Sequence, residues 1–371
     1  MNRLRTLLFG MLPMIVGTAV AGANGGGDYW IADSHACPQS RLTGGPRCSL
    51  RFAYVPANGS SRPVSKQILL SSLCPGRPLL IAVHGSFVDE RYFLKQNRLV
   101  TRWVRHALPN NPPTIIFYRW PSEEGPIVLP QINAAVLGRM AGFNGLYLAR
   151  LIADLPAGIP VTVMGHSHGS RIAAAALHFL GGGRVQGYVL PANCRRQHRL
   201  RAVLMAAAID HHWLNPGQRY GRALCSAEKL LILTNHRDIV LHFYPYRKLF
   251  SGRALGATGL LRSDRYRLGA RNSRVLELDV TRQIGRGHLL PRYTEHPEIA
   301  AAIAPLLSFA PSGTSQQFGR PALGRRKTLR PADQQQRQQS GRPLSDRKRR
   351  RADQPQSVGN GAFPLLVPPA K

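Results

Sequence analysis

The feature that most constrains this chain is a GxSxG pentapeptide, Gly165 to Gly169, with Ser167 at its centre. Residues 161–164 have the apolar, β-branched pattern of a buried strand, and residues 170–180 place apolar side chains on one helical face. A strand, a sharp turn and a helix would lift the serine hydroxyl above the sheet edge, at the positive end of the helix. Because side chains beside the serine would clash in such a turn, glycine is expected at both ends of the pentapeptide. The layout predicts a nucleophilic serine.

A GxSxG pentapeptide also occurs in ordinary glycine-rich turns, so further parts of the site are needed. Upstream, the buried-strand pattern of residues 77–83 ends in His84, Gly85 and Ser86. This segment resembles the oxyanion loop that follows the third strand of α/β-hydrolases. The resemblance implies that the backbone N–H groups of Ser86 and His168 form an oxyanion hole. The alternative is that the glycine merely turns the chain and that the histidine only ends the strand.

Two later strand patterns end near residues that would complete a catalytic triad. Residues 229–234 lead to Asp238, which lies 71 residues after Ser167, and residues 275–280 lead to His288, another 50 residues along the chain. Glycines close to this histidine would let its loop reach across the site. The aspartate is the predicted catalytic acid and the histidine the predicted general base. The order Ser, Asp, His is that of α/β-hydrolases and differs from that of chymotrypsin and subtilisin.

Both assignments leave alternatives open. Asp210 also ends an apolar strand pattern, and some hydrolases take their acid from this earlier strand. Asp238 is favoured because an acid after the penultimate strand is the commoner arrangement in the family resembled. His236 and His296 compete with His288, but neither follows a late strand with neighbouring glycines.

Residues 77–309 as a whole resemble the α/β-hydrolase superfamily. The resemblance is to serine hydrolases in which the elbow, the sharp turn that carries the nucleophilic serine, reads His-Ser-x-Gly. Residues 117–122, a strand pattern that ends in Trp-Pro-Ser, strengthen the likeness. The resemblance implies an α/β-hydrolase fold and an esterase-like or lipase-like enzyme that acts on a small-molecule or lipid ester through an acyl-enzyme. It does not carry over a particular substrate. The second hypothesis is a hydrolase-fold protein that binds an anionic surface partner without chemistry.

Strand and helix patterns alternate through this region, which predicts a mostly parallel sheet covered by helices on both faces. Helical periodicity marks residues 89–108, 132–155 and 297–307. Before the first parallel strand, antiparallel edge strands are predicted at residues 50–55 and 67–70. The loops expected to shape the site are residues 211–222 and 251–271.

The N-terminus predicts export. Two arginines precede an apolar run over residues 7–20, and small residues follow it, so residues 1–23 have the pattern of a secretory signal. The run has 14 residues, short of the ~20 that a membrane span needs, which favours cleavage over an uncleaved anchor. The mature protein is predicted to be secreted or periplasmic. Residues 24–76 would supply edge strands and loops, and residues 77–310 the catalytic core.

The C-terminal segment, residues 311–371, has a different composition, with 13 Lys and Arg against 3 Asp. Its richness in Gln, Arg, Pro, Ser and Gly predicts a disordered basic tail. Because the whole chain carries a formal net charge of +32, contact with an anionic cell envelope, polysaccharide or lipid headgroup is one interpretation. A purely compositional charge without a partner is the other. No nucleic-acid-binding motif accompanies the charge, so nucleic acid is not a predicted partner.

Cysteine and histidine usage adds two expectations. Disulfides are permitted in an exported chain, and proximity in sequence favours pairs among the first three cysteines and between the last two, although five is an odd number. The cysteines are Cys37, Cys48, Cys74, Cys194 and Cys225. A zinc site would draw on His166, His168, His211, His212 and His236. The elbow geometry disfavours such a site, so no metal and no cofactor are predicted.

Overall fold

The computed structural model describes residues 27–39, 49–123, 130–195, 198–247 and 251–309. The predicted signal segment, residues 1–23, and the predicted basic tail, residues 311–371, lie outside the described residues.

The centre of the fold is a nine-stranded sheet with the order β11-β10-β9-β6-β4-β5-β1-β2-β3. From β11 to β1 all neighbouring strands are parallel, and β2 and β3 extend the sheet as an antiparallel edge. The strands of this sheet are β1 (Tyr29–Asp33), β2 (Arg51–Val55), β3 (Arg62–Val64), β4 (Leu79–Val83), β5 (Thr114–Arg119), β6 (Val161–His166), β9 (Leu200–Met205), β10 (Ala227–Thr234) and β11 (Val275–Asp279). A separate two-stranded sheet contains β7 (Arg184–Val185) and β8 (Tyr188–Val189).

Helices connect the parallel strands. They are α1 (Lys66–Ser72), α2 (Glu90–Ala107), α3 (Pro130–Ala153), α4 (His168–Leu180), α5 (Ala223–Ser226), α6 (Ile239–His242), α7 (Leu255–Thr258), α8 (Arg262–Leu268), α9 (Thr281–Ile284), α10 (Leu290–Thr294) and α11 (Pro297–Leu307). Among the described residues, no helix combines the length and the apolar character that a membrane crossing requires.

The sheet separates two hydrophobic cores, and β4 shows how. Its residues Leu79, Ile81 and Val83 pack into one core together with α3 and α4. The intervening Leu80 and Ala82 pack into the other core together with α2 and α11. Successive side chains of a strand point to opposite faces, so a strand buried on both faces must be apolar throughout. The prediction of a mostly parallel sheet between two helical layers is confirmed.

Helix α4 is enclosed more completely than any surface helix would be, because all 13 of its residues are buried. It packs against α3, where Gly145 meets Ala175 so closely that a Cβ on the glycine would clash with the alanine methyl group. Small residues on both helices therefore permit the close approach of α3 and α4.

The predicted edge strand at residues 67–70 is wrong, because this segment lies in α1. The Ser65 side chain accepts a hydrogen bond from the Ile68 N–H at 3.2 Å and caps the helix, which buries Leu69 against the sheet. The predicted strand at residues 50–55 is confirmed as β2. The segment 251–271 is not a simple loop either, since it contains α7 and α8.

The predicted pairing of Cys194 with Cys225 is also wrong. Both are free, as is Cys74, whereas Cys37 is disulfide-bonded. Cys194 lies in a 3-10 turn between β8 and β9, and Cys225 lies in α5 beside the end of α4.

Candidate active site

Ser167 stands at a strained turn between β6 and α4. Its backbone has φ 53° and ψ −120°, a conformation that L-residues other than glycine rarely adopt. Such strain persists only where the surrounding structure enforces it, and it is frequent at functional sites. The turn puts the serine at the N-terminus of a buried helix, as the GxSxG pattern predicts.

The two glycines of the pentapeptide are required by close backbone contacts. A Cβ at Gly165 would clash with the backbone of Gly169 and Ser170. A Cβ at Gly169 would clash with the carbonyl groups of Val83 and His84 at the end of β4. Neither glycine has a positive φ. Glycine is therefore required at both positions because a Cβ would not fit, and not because of the backbone conformation.

Strand β9 holds the turn in place. The Ser167 N–H donates to the Met205 carbonyl at 2.9 Å. The Ser170 hydroxyl lies 2.7 Å from the Gly165 carbonyl and 3.0 Å from the same Met205 carbonyl, which ties the first turn of α4 to the ends of β6 and β9. The position of the serine is therefore fixed by three elements.

The structure brings Ser167, His288 and Asp238 together. His288 Nε2 lies 3.1 Å from the Ser167 Oγ, and His288 Nδ1 lies 2.8 Å from the Asp238 Oδ2. A carboxylate only accepts, so Nδ1 carries the proton and Nε2 is left to accept from the serine hydroxyl. The other carboxylate oxygen of Asp238 caps α6 by accepting from the Leu241 N–H at 3.0 Å. The Asp238 side chain is fully buried, which fixes its orientation.

The loop that carries His288 is anchored through three consecutive backbone carbonyl groups. The Arg286 carbonyl accepts from the Ile239 N–H at 3.4 Å, and the Gly287 carbonyl accepts from the Asn235 side chain at 3.1 Å. The His288 carbonyl accepts from His166 Nε2 at 2.7 Å. Because the loop has no regular structure at these positions, these contacts set where the His288 ring lies.

His166, the residue before the serine, is a neutral donor in this arrangement. Burial, and to a smaller extent charge repulsion from the neighbouring His288, lowers its pKa to about 3. Its ring lies 5.2 Å from the His288 ring. The carbonyl contact places the proton of this neutral imidazole on Nε2.

The predicted oxyanion residues, Ser86 and His168, contact each other. The Ser86 Oγ lies 2.6 Å from His168 Nδ1, which joins the loop after β4 to the start of α4. Among the described residues, the Ser86 N–H has no acceptor. His168 is the first residue of α4, where no carbonyl of the same helix can pair with the N–H. The two residues whose backbone N–H groups are the predicted oxyanion donors are therefore joined by a contact between their own side chains.

The Trp-Pro-Ser segment after β5 holds the predicted oxyanion loop. The Trp120 N–H donates to His84 Nε2 at 3.2 Å, so His84 Nδ1 carries the proton and donates to the Gly85 carbonyl at 2.9 Å. Burial lowers the His84 pKa to about 4, which keeps the ring neutral. The Ser122 carbonyl accepts from the Phe87 N–H at 2.5 Å, where Phe87 has a positive φ of 59°. His84 therefore belongs to the support of the loop.

The carboxylate of the alternative acid, Asp210, has hydrogen-bond partners other than His288. Its carboxylate accepts from the Tyr244 hydroxyl at 2.9 Å and from the Gly252 N–H at 3.1 Å. The competing histidines also have other contacts. His236 Nδ1 lies 2.6 Å from the Ala257 carbonyl, and His296 Nδ1 lies 3.3 Å from a Glu298 carboxylate oxygen.

The histidines of the zinc hypothesis do not converge. His166 turns to the His288 carbonyl and His168 turns to Ser86, while His211 pairs with Asp264 at 2.6 Å. Within the described ranges, no three His, Cys, Asp or Glu side chains gather closely enough to hold a metal ion.

Sequence analysis missed the support that Asn235 and His166 give to the His288 loop. Asn235 is fully buried, two residues beyond the apolar run of β10 and three before Asp238. The sequence does show a polar residue, Asn235, at the start of the turn that leads to Asp238. It does not show the partner of this residue, a carbonyl 52 residues away.

No protein-family model matches the sequence, and no curated protein does. Among solved structures, the chain is similar to acyl-protein thioesterase 2 from Zea mays, with 16% identity, a TM-score of 0.35, and coverage of 64% of this chain and 97% of that one. The catalytic core domain of acetyl xylan esterase from Trichoderma reesei has 15% identity and a TM-score of 0.33, covering 64% and 100%. Esterase B from Lactobacillus Rhamnosis has 11% identity and a TM-score of 0.36, covering 76% and 84%.

The sheet order and the strand, turn and helix around Ser167 define the class of this protein: it has the α/β-hydrolase fold. The resemblance predicted from the His-Ser-x-Gly elbow is thereby confirmed at the level of the fold.

Proposed function

We propose that this protein is a serine hydrolase that cleaves ester bonds through an acyl-enzyme. The observation that carries the proposal is the chain of two hydrogen bonds, 3.1 Å from Ser167 to His288 and 2.8 Å from His288 to Asp238. A neutral serine hydroxyl is a weak nucleophile at pH 7 and needs an adjacent base, which this arrangement would supply.

In the proposed mechanism, the Ser167 Oγ attacks the ester carbonyl carbon while its proton passes to His288 Nε2. Asp238 holds the imidazole tautomer and stabilises the imidazolium. The backbone N–H groups of Ser86 and His168 stabilise the negative charge on the carbonyl oxygen. The tetrahedral intermediate then collapses, and the imidazolium gives its proton to the leaving alcohol. Water attacks the acyl-enzyme by the same steps and releases the acid.

We further propose that the enzyme acts outside the cytoplasm. The support is the N-terminal signal pattern and the disulfide at Cys37, since structural disulfides persist in oxidising compartments. N-terminal sequencing of the exported protein is expected to begin after Ala23. Recovery of the full-length chain in the cytoplasm would contradict this part of the proposal.

The test of the hydrolase proposal is covalent labelling with a fluorophosphonate probe, read by intact mass. We expect one adduct on the wild-type protein and none on Ser167→Ala. The matched control is Ser71→Ala, an exposed serine in α1, which is expected to label like the wild type. Folding of all three is checked by circular dichroism.

Unlabelled wild-type protein and Ser167→Ala are then assayed with 4-nitrophenyl esters of short and long acyl chains. Labelling and turnover that both require Ser167 would support the proposal. A folded wild-type protein that takes no label would contradict it, and would favour the second hypothesis of a binding protein on a hydrolase scaffold.

A further inference from the structure

Arg171 is a buried charge without a carboxylate. It lies in the first turn of α4, four residues after Ser167, and only 7% of its surface is exposed. Among the described residues it has no ion pair and no hydrogen bond, and its Nε is sealed from solvent with no acceptor. Its guanidinium lies over the face of Trp213, with the guanidinium carbon 4.9 Å from the ring centre.

Burying a charge is unfavourable unless an opposite charge or hydrogen-bond acceptors compensate for lost hydration. The attraction of a cation to an aromatic ring offsets only part of the cost of removing an ion from water. Arg219 lies over the same Trp213 ring, also at 4.9 Å, and adds positive charge. The protein therefore holds a guanidinium whose electrostatic partner is not one of the described residues.

The guanidinium lies close to the predicted oxyanion site. A Cβ built on Gly138 of α3 would lie 2.6 Å from Arg171 Nη1 and 3.5 Å from His168 Nε2, so this glycine leaves room for both side chains. The other nitrogen of the His168 ring contacts Ser86 at 2.6 Å. His168, in the first turn of α4, therefore contacts Ser86 of the predicted oxyanion loop with one ring nitrogen, and its other ring nitrogen lies on the side of Arg171.

We propose that Arg171 binds a carboxylate of the substrate, so that the enzyme prefers esters that carry a negative charge near the scissile bond. This inference rests on the proposed ester hydrolysis and names its substrate class. Nη1 and Nη2 are not sealed as Nε is, and they form the planar end of the fork that pairs with the two oxygens of a carboxylate.

The helix geometry limits where that carboxylate would be. Four residues of α-helix rise about 6 Å, so the Cα of Arg171 lies roughly one helical turn from the Cα of Ser167. A carboxylate a few bonds away from the ester carbonyl would reach the guanidinium. The charge would lie either on the acyl chain or on the alcohol.

The test compares matched pairs of esters on wild type, Arg171→Met and Arg171→Lys. One pair places the charge on the acyl side: the 4-nitrophenyl monoester of adipic acid and 4-nitrophenyl hexanoate. The other places it on the alcohol side: 4-carboxyphenyl acetate and 4-methylphenyl acetate. The measured quantity is the ratio of kcat/KM for the charged ester to kcat/KM for the neutral one, so intrinsic reactivity cancels between variants.

We expect Arg171→Met to lower this ratio about tenfold or more for at least one pair, since hydrogen bonds to charged groups have that effect. Arg171→Lys keeps the charge but not the fork, so an intermediate ratio is expected. The control is Arg102→Met, an exposed arginine of α2 on the opposite face of the sheet, which should leave both ratios unchanged. Unchanged ratios for a folded Arg171→Met protein would overturn the inference and leave Arg171 a structural partner of Trp213.

A binding measurement separates this inference from the proposed chemistry. Ser167→Ala and the double variant Ser167→Ala/Arg171→Met are each titrated calorimetrically with monomethyl adipate and with methyl hexanoate. Binding of the charged ester that weakens about tenfold or more in the double variant supports the site even if the wild type takes no fluorophosphonate. Equal binding in both proteins contradicts the site even if Ser167 is labelled.

Discussion

Two buried histidines flank the predicted nucleophile, and both are kept neutral by burial. His84 has a pKa of about 4 and donates from Nδ1, whereas His166 has a pKa of about 3 and donates from Nε2. A neutral imidazole can donate at one nitrogen and accept at the other, which a protonated one cannot. His84 thereby supports the predicted oxyanion loop, and His166 supports the loop of His288.

The role of His166 is testable by side chains that keep or remove its donor. In His166→Leu the His288 carbonyl loses a buried partner, and we expect the rate of fluorophosphonate labelling to fall about tenfold, since small displacements of a catalytic group are costly. His166→Gln can place an amide N–H near the position of Nε2 and should recover a large part of the rate. Labelling rates are measured under pseudo-first-order conditions. Equal losses in Leu and Gln variants of equal thermal stability would argue against a positioning role.

At the scale of elements, the elbow depends on three strand ends that approach one helix N-terminus. Strand β4 supplies the carbonyl groups against Gly169, β6 carries the serine, and β9 holds the Ser167 N–H. Parallel strands place these ends at one edge of the sheet, which is why residues far apart in sequence meet there. Each contact is between backbone atoms, so side-chain rotation cannot relieve an added methyl group.

Gly165→Ala is therefore expected to lower the free energy of unfolding by about 3 kcal/mol or more, because its Cβ would meet the backbone of Gly169 and Ser170. The comparison is Gly158→Ala, where φ is +82° but no atom lies within 4 Å of the added Cβ. That substitution should cost only about 1 to 2 kcal/mol, from backbone conformation alone. Urea unfolding of both variants gives the difference. If Gly165→Ala were the milder change, the packing of the elbow would be wrongly described.

For the molecule as a whole, sequence patterns predicted the elements and the order of the site residues. Ser167, Asp238 and His288 were each named from a strand pattern followed by a turn, because buried parallel strands are apolar throughout and their ends carry the polar residues. Patterns failed where a single polar contact decides the structure. Ser65 turns residues 66–72 into a helix, and no periodicity of four residues could show this.

Local sequence patterns also did not predict contacts between residues that are far apart in the chain. The absence of a carboxylate beside Arg171 depends on how α3, α4 and the loop of Trp213 pack together, although a lone arginine in the first turn of a mostly apolar helix was a signal in the sequence. The same holds for the Asn235 contact with the His288 loop. Local chemistry identifies the groups that can react, whereas the groups that position them depend on tertiary packing.

The buried neutral histidines also predict how the stability of the whole protein depends on pH. The pKa values of His84 and His166 lie below the ordinary value of 6.5, so below pH 6.5 the unfolded chain binds protons that the folded chain does not. The contribution of these two histidines to the free energy of unfolding is therefore fully present above about pH 6.5. It is lost as the pH falls, by up to about 1.4 kcal/mol per pH unit for each histidine. His35, with a raised pKa, acts in the opposite sense and only above pH 6.5.

Between pH 6.5 and about 5 the carboxylates with lowered pKa values, such as Asp33 and Asp264, add little, because they lose stability only nearer the ordinary aspartate value of 3.8. Urea unfolding across this window should give a steeper loss for the wild type than for His84→Asn, which has no proton to bind at that position. The slope is the quantity compared, so a lower absolute stability of the variant does not obscure the result. Identical slopes would mean that His84 takes up its proton equally in the folded and the unfolded protein over this window, which would contradict its lowered pKa and its acceptance of a hydrogen bond from the Trp120 N–H.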